Sequence, residues 1–167
     1  MILWTTKTKT RSEEIAIGIS EENRASLVES LNGLLANLFV LYTKARSYHW
    51  NVTGEQFFTL HVEFEKLYDG LAEDLDAVAE RARSLGGYAA GSMGQFLELA
   101  TLKEASGVPA ANAMVSDLCG DYERMISKLR PMVEDAEEAN DAGTADFLTG
   151  LMESYEKTAW MLRSFLH

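Results

Sequence analysis

The chain has three histidines, His49, His61 and His167. His167 is the terminal residue and is read as solvated. His49 and His61 each stand on or beside an apolar stripe with helical spacing. From His61 onward a flank of carboxylates continues: Glu65, Asp69, Glu73, Asp76 and Glu80. On a helix turning ~100° per residue, Glu65 is rotated roughly 40° from His61, Asp76 roughly 60° and Glu80 roughly 100°. They therefore share one side, next to the stripe. Imidazole nitrogen with carboxylate oxygen is a donor set suited to iron(II), manganese or zinc. Plain alternatives stand beside this reading: two core histidines with ordinary hydrogen bonds, and a solvated acidic face. For Asp69 and Glu73 the solvated face weighs as much as a metal role.

Spacing constrains what these residues can build. His61 and Asp76 are 15 residues apart in the sequence, about 22 Å along a straight helix at ~1.5 Å per residue. No single metal site spans that distance. Either the two groups are unrelated, or a second copy of the chain completes the site. A twofold axis beside the helix would bring His61 of one subunit to Asp76 and Glu80 of the other. It would make two identical sites per dimer.

These residues need long helices to carry them, and the pattern provides four. Leu27, Leu31, Leu34, Leu38, Leu41, Ala45 and Tyr48 recur at steps of three and four, which predicts a helix over 21–50. Ser20 is its expected N-cap, with acidic Glu21 and Glu22 following. Asn51 to Gly54 supplies a turn. Phe57, His61, Phe64, Tyr68, Leu71, Leu75, Val78, Ala82 and Leu85 form a second stripe, stopped by Gly86-Gly87. A Gly-rich stretch and a short apolar segment, Phe96 to Leu102, come next. Pro109 is expected to open a third helix carrying Met114, Leu118, Tyr122, Met125 and Leu129, and Pro131 to kink it. After a turn at Asn140 to Gly143, the fourth helix carries Phe147, Leu148, Leu151, Tyr155, Ala159, Leu162 and Leu166. The expected fold is all-α: a four-helix bundle with a short extra helix in the crossover between its second and third helices. Residues 1–20 read as an arm and 21–167 as one domain.

Composition fits this. A chain of 167 residues, 47% hydrophobic with only two prolines, is long enough for one sizeable core. No uninterrupted apolar run approaches the ~18–20 residues of a membrane span. The first residues carry no secretory h-region, so a cytoplasmic location is expected and no membrane partner. The acceptor triplet Asn51-Val52-Thr53 is then expected to go unused. Cys119 stands alone among apolar neighbours and is read as a small buried hydrophobe. The net charge of −11 repels nucleic acid and attracts cations.

Two segments resemble the Dps family of mini-ferritins. One is Tyr48-His49-Trp50-Asn51-Val52-Thr53-Gly54 with Phe57-Phe58-Thr59-Leu60-His61-Val62-Glu63-Phe64-Glu65. The other is Asp76-Ala77-Val78-Ala79-Glu80-Arg81 with Leu85-Gly86-Gly87. The resemblance covers residues 25–166. It implies a ferritin-like fold, a hollow homododecamer and a ferroxidase centre at the dimer interface. His49, His61 and Glu65 would come from one subunit, and Asp76 and Glu80 from its partner. The family often has Asp where Glu65 stands; the longer Glu bears on the second iron subsite. Trp50 matches the family's tryptophan beside the centre, where it takes an oxidising equivalent or packs at the interface. The resemblance further implies iron(II) as substrate, hydrogen peroxide preferred to oxygen as oxidant, Fe(III) mineral in the cavity and protection of DNA in stress. Zinc or manganese could substitute for iron. Asp141 and Asp146 resemble acidic residues of the family's entry pores, with N-capping and first-turn roles as the alternative.

Other functions are open to such a chain. Lys7, Lys9 and Arg11, offset by Glu13 and Glu14, form a weakly basic arm that could bind DNA through repetition around a shell. An intra-bundle di-iron oxidase needs Glu-x-x-His on two helices, but Arg46 and Phe58 occupy the positions three before the histidines. A shell with an unused or zinc-filled site is a third reading.

Overall fold

A computed structural model describes residues 15–167. It contains five helices and, among the described residues, no strand: α1 Glu21–Asn51, α2 Phe57–Ser84, α3 Met93–Leu99, α4 Ala111–Glu138 and α5 Ala142–Phe165. The basic arm residues Lys7, Lys9 and Arg11, with Glu13 and Glu14, lie outside the described residues. Residues 15–20 lead into α1 without regular structure.

Helix α1 starts where expected. The Ser20 hydroxyl accepts the Asn23 N–H at 3.2 Å, with Glu21 and Glu22 in the first turn. Its seven predicted stripe residues are all buried, as are Leu35, Ala36 and Val40. Such burial beyond one stripe marks a central helix, and α1 packs on α2, α3 and α4. By length and composition α1 alone would pass for a membrane span, despite its polar interruptions. Half of its most apolar stretch is buried inside the bundle instead. Its apolarity therefore belongs to the core.

The two hairpins α1–α2 and α4–α5 join through α1 and α4. At the end of α2, Gly86 takes a φ of +91°, a left-handed value natural to glycine. Gly87 serves a different need. A Cβ there would stand 2.2 Å from a Val28 methyl carbon, so its smallness lets the chain cross α1. The long crossover is then pinned to α1 by two asparagines. Asn32 accepts the Ala90 N–H and donates to the Tyr88 carbonyl. Buried Asn37 accepts the N–H groups of Thr101 and Leu102. Phe96 of α3 stacks on Phe39 of α1 with ring centroids 3.9 Å apart.

Helix α4 begins at Ala111, so Pro109 lies just outside it rather than at its first position. The helix continues through Pro131 to Glu138. Inside the bundle, Lys44 of α1 is buried and paired to Asp117 at 2.9 Å and Asp121 at 2.6 Å, both on α4. Arg124 takes the other oxygen of Asp121, and the Tyr48 hydroxyl donates to Asp117. Burial of these charges is tolerable because each is paired and hydrogen-bonded.

Asp141 takes the capping role that the sequence left open beside a pore role. It is the N-cap of α5, accepting from the Thr144 N–H and hydroxyl, and its carboxylate also takes two bonds from Arg81 at 2.6 and 2.8 Å. The residue is buried and its charge is spent within its own chain. Asp146, one turn on, is exposed.

Candidate metal centre

The two histidines meet at one end of the α1–α2 hairpin. His49 lies in the last turn of α1, where carbonyls lack helical partners; His61 lies in the second turn of α2. Each imidazole bonds the other residue's backbone. His49 Nδ1 is 2.7 Å from the His61 carbonyl oxygen, and His61 Nδ1 is 2.9 Å from the His49 carbonyl oxygen. A carbonyl oxygen only accepts, so both Nδ1 atoms must carry the hydrogen. In the neutral ring each Nε2 then keeps its lone pair. That is the tautomer a metal-ligating histidine needs, oriented by its second nitrogen.

Aromatic contacts hold the rings in place. The His49 and His61 rings stack with centroids 3.8 Å apart and 20° between planes. Phe57 also stacks on His61, with centroids 5.1 Å apart. Tyr68 meets His49 edge-on at 5.2 Å. With rotation blocked on several sides, the two Nε2 atoms are pre-oriented donors.

Glu65, one turn after His61, is half-buried, and one of its oxygens accepts from the Tyr68 hydroxyl at 3.3 Å. Burial and then the Glu65 carboxylate push the Tyr68 phenol above its ordinary value, so it is a donor at neutral pH. Arg46 lies over the Tyr68 ring, 4.7 Å from its centroid, and is 5.4 Å from the Trp50 ring. Trp50 is 64% exposed, and Phe58 and Val62 of α2 are exposed as well.

The carboxylates predicted with these histidines divide into groups. Glu65 joins them. Asp76 and Glu80 are exposed on the same helix, three to four turns further along. Among the described residues, no three of His, Cys, Asp and Glu converge within one chain. Asp69 and Glu73 are exposed to solvent. Asp74 points inward instead. It accepts the Tyr155 hydroxyl at 2.8 Å, and burial raises its carboxyl above the usual range. Each chain thus carries a histidine cluster near one end of α2 and two free carboxylates toward the other. His49, His61 and Glu65 fit a cation on the chemistry of their donors, but they leave its coordination incomplete.

Sequence reasoning placed Tyr68 in the apolar stripe and read Arg46 only as an absent glutamate. Tyr68 stands seven residues after His61, close to two full turns, which is the signal that could have put it on the ligand face.

Residues 28–167 match the ferritin-like domain family. An uncharacterised low-temperature-induced protein of Nostoc sp. is 51% identical over 154 residues, covering 91% of this chain and 86% of its own. DNA protection during starvation protein 2 of Bacillus anthracis is 41% identical over 141 residues, 84% of this chain and 97% of that one. The crystal structure of a Dps protein from Vibrio cholerae, described as a member of the ferritin-like diiron-carboxylate superfamily, superposes with a TM-score of 0.88. That pair shares 32% identity over 90% of this chain and 95% of the other.

Proposed function

From its place in the Dps family of ferritin-like proteins, to which this chain belongs, we propose that it stores and detoxifies iron by oxidising Fe(II) at centres shared between two subunits. The observation that carries this is the reciprocal histidine pair, with both Nδ1 hydrogens spent on backbone carbonyls and both Nε2 lone pairs free. His49, His61 and Glu65 of one subunit hold iron(II) together with Asp76 and Glu80 of its partner. Neutral imidazole and carboxylate suit Fe(II), and zinc or manganese competes for the same donors.

Hydrogen peroxide is the oxidant this reading favours over oxygen. Two iron(II) ions each lose one electron, and one peroxide with two protons becomes two waters, so no hydroxyl radical is released. Exposed Trp50 beside the histidines packs at the subunit interface and is placed to take up a stray oxidising equivalent. A hollow dodecamer in the cytoplasm would hold the Fe(III) product as mineral. Exposed Asp146 is the remaining candidate for an acidic entry pore, where negative potential draws cations inward. DNA protection follows from removing the iron and peroxide that make radicals. Direct DNA binding by the arm is secondary, since the −11 charge opposes it.

The test is anaerobic Fe(II) loading followed by one peroxide per two irons, with Fe(III) formation followed by near-ultraviolet absorbance. The wild type is compared with the His61→Ala/Asp76→Ala double variant. Fast oxidation lost in the variant supports the reading; equal rates would show that these residues are structural.

A further inference from the structure

Tyr68 is not a ligand in the centre proposed above, yet it touches two residues that are. Its hydroxyl donates to Glu65 at 3.3 Å, one turn back on the same helix, and its ring edge meets His49 at 5.2 Å on the neighbouring helix. The ring is itself held. The Arg46 guanidinium lies 4.7 Å from its centroid and is fixed by a 2.8 Å bond to the Tyr42 hydroxyl. Tyr42 in turn meets the Tyr68 ring edge-on at 6.2 Å. All of these contacts lie within one chain. They are complete before a partner subunit arrives.

We propose that Tyr68 is a positioning residue for the metal centre, its hydroxyl holding one oxygen of Glu65 so that the other is presented to the cation beside His49. The inference rests on the shared-centre reading. Its physical basis is conformational. A half-buried glutamate has three rotatable bonds, and fixing them costs free energy when the metal binds. A hydrogen bond made beforehand removes part of that cost. The glutamate's length is what permits the bond. Shortening the side chain by one C–C bond, about 1.5 Å, withdraws the carboxylate from a contact already at 3.3 Å. A distance much beyond that is no hydrogen bond. Glu65 and Tyr68 therefore form a matched pair, and the hydroxyl has a task only while position 65 is Glu.

Anaerobic Co(II) titration of the full-length protein, followed by visible absorption, tests this without any turnover. Tyr68→Phe keeps the ring and its contacts with His49 and Arg46 and removes only the hydroxyl. Losing one hydrogen bond, at 3.3 Å a long one, should weaken Co(II) binding by on the order of three- to tenfold. In a Glu65→Asp background the same change should shift affinity less than about twofold, because the pair is already broken. Equal weakening by Tyr68→Phe in both backgrounds would show a general structural effect and overturn the inference. So would unchanged or tighter binding in Tyr68→Phe, the latter meaning that the hydroxyl competes with the cation. His61→Ala separates the two levels: if it leaves Co(II) binding intact, the shared-centre reading fails and the inference with it.

Discussion

Mixed subunits offer a quantitative test of the centre. Take His61→Ala and Asp76→Ala as two separately dead variants. If each centre joins the histidines of one subunit to the carboxylates of another, a dimer of the two variants has one centre lacking both groups and one with neither change. At a one-to-one ratio with random pairing, half the dimers are mixed and half of their centres are intact. About one quarter of wild-type centres should return, from two inactive parents. A shared centre is required because ~22 Å separates His61 from Asp76 along α2, which no single-chain site can bridge. Co-expression of differently tagged chains, purification of mixed assemblies and peroxide-driven Fe(II) oxidation would read it. The same variants assembled separately and then combined without exchange should stay inactive. No recovery in the mixed assemblies would refute the shared centre, as would substantial activity in either parent.

Other expectations concern the charges buried in the bundle. Lys44→Ala leaves Asp117 and Asp121 without their central cation and should cost roughly 3 kcal/mol in urea denaturation, toward the low end for a broken buried pair because Arg124 still holds Asp121. Asp141 should confer acid sensitivity. Burial pushes its carboxyl up, but the bonds from Thr144 and Arg81 outweigh this and hold it below the usual carboxylate range. Its contribution is therefore full above about pH 4 and is lost as pH falls through its lower folded value. Asp141→Asn should flatten that acid limb in a plot of melting temperature against pH. Asp74 has the opposite sign. Burial raises its folded pKa, so its charge opposes folding at neutral pH and the penalty fades in acid. Asp74→Asn, whose amide oxygen can still accept from Tyr155, should melt higher than wild type at pH 7, with the gain vanishing in acid. Gly87→Ala should lower the melting temperature through contact with Val28, an effect that an added Val28→Ala change partly reverses.

The buried ion network and the candidate centre use opposite solutions to the same electrostatic problem. In the bundle interior, Lys44 supplies a tethered cation between two aspartates, and the charges balance within the chain. At the end of the α1–α2 hairpin, Glu65 meets a phenol rather than a cation. Asp76 and Glu80, on the exposed flank, have no ion pair among the described contacts. Carboxylates without a cationic partner favour an arriving cation, whereas a carboxylate already paired, like Asp141, does not.

By itself the sequence determined the helices and the distances along them. Apolar residues at steps of three and four specify a helical face wherever they occur, so α1, α2, α4 and α5 were legible, as was the short segment that becomes α3. Residue count along a rigid helix is a ruler, which is why the separation of His61 from Asp76 could be read without coordinates. What lies between helices could not be read that way. The imidazole–carbonyl exchange of His49 and His61 depends on how the α1–α2 turn sets two helices side by side. The inward turn of Asp74 toward Tyr155, 81 positions away, and the pairing of Lys44 with Asp121, 77 away, depend on how α1 and α2 pack against α4 and α5. The same holds for Asp141, whose carboxylate could equally have faced a pore until Arg81 of another helix took it. Periodicity assigns a residue to a face; only packing decides which neighbour meets it there, because that choice is made by contacts between segments distant in the chain.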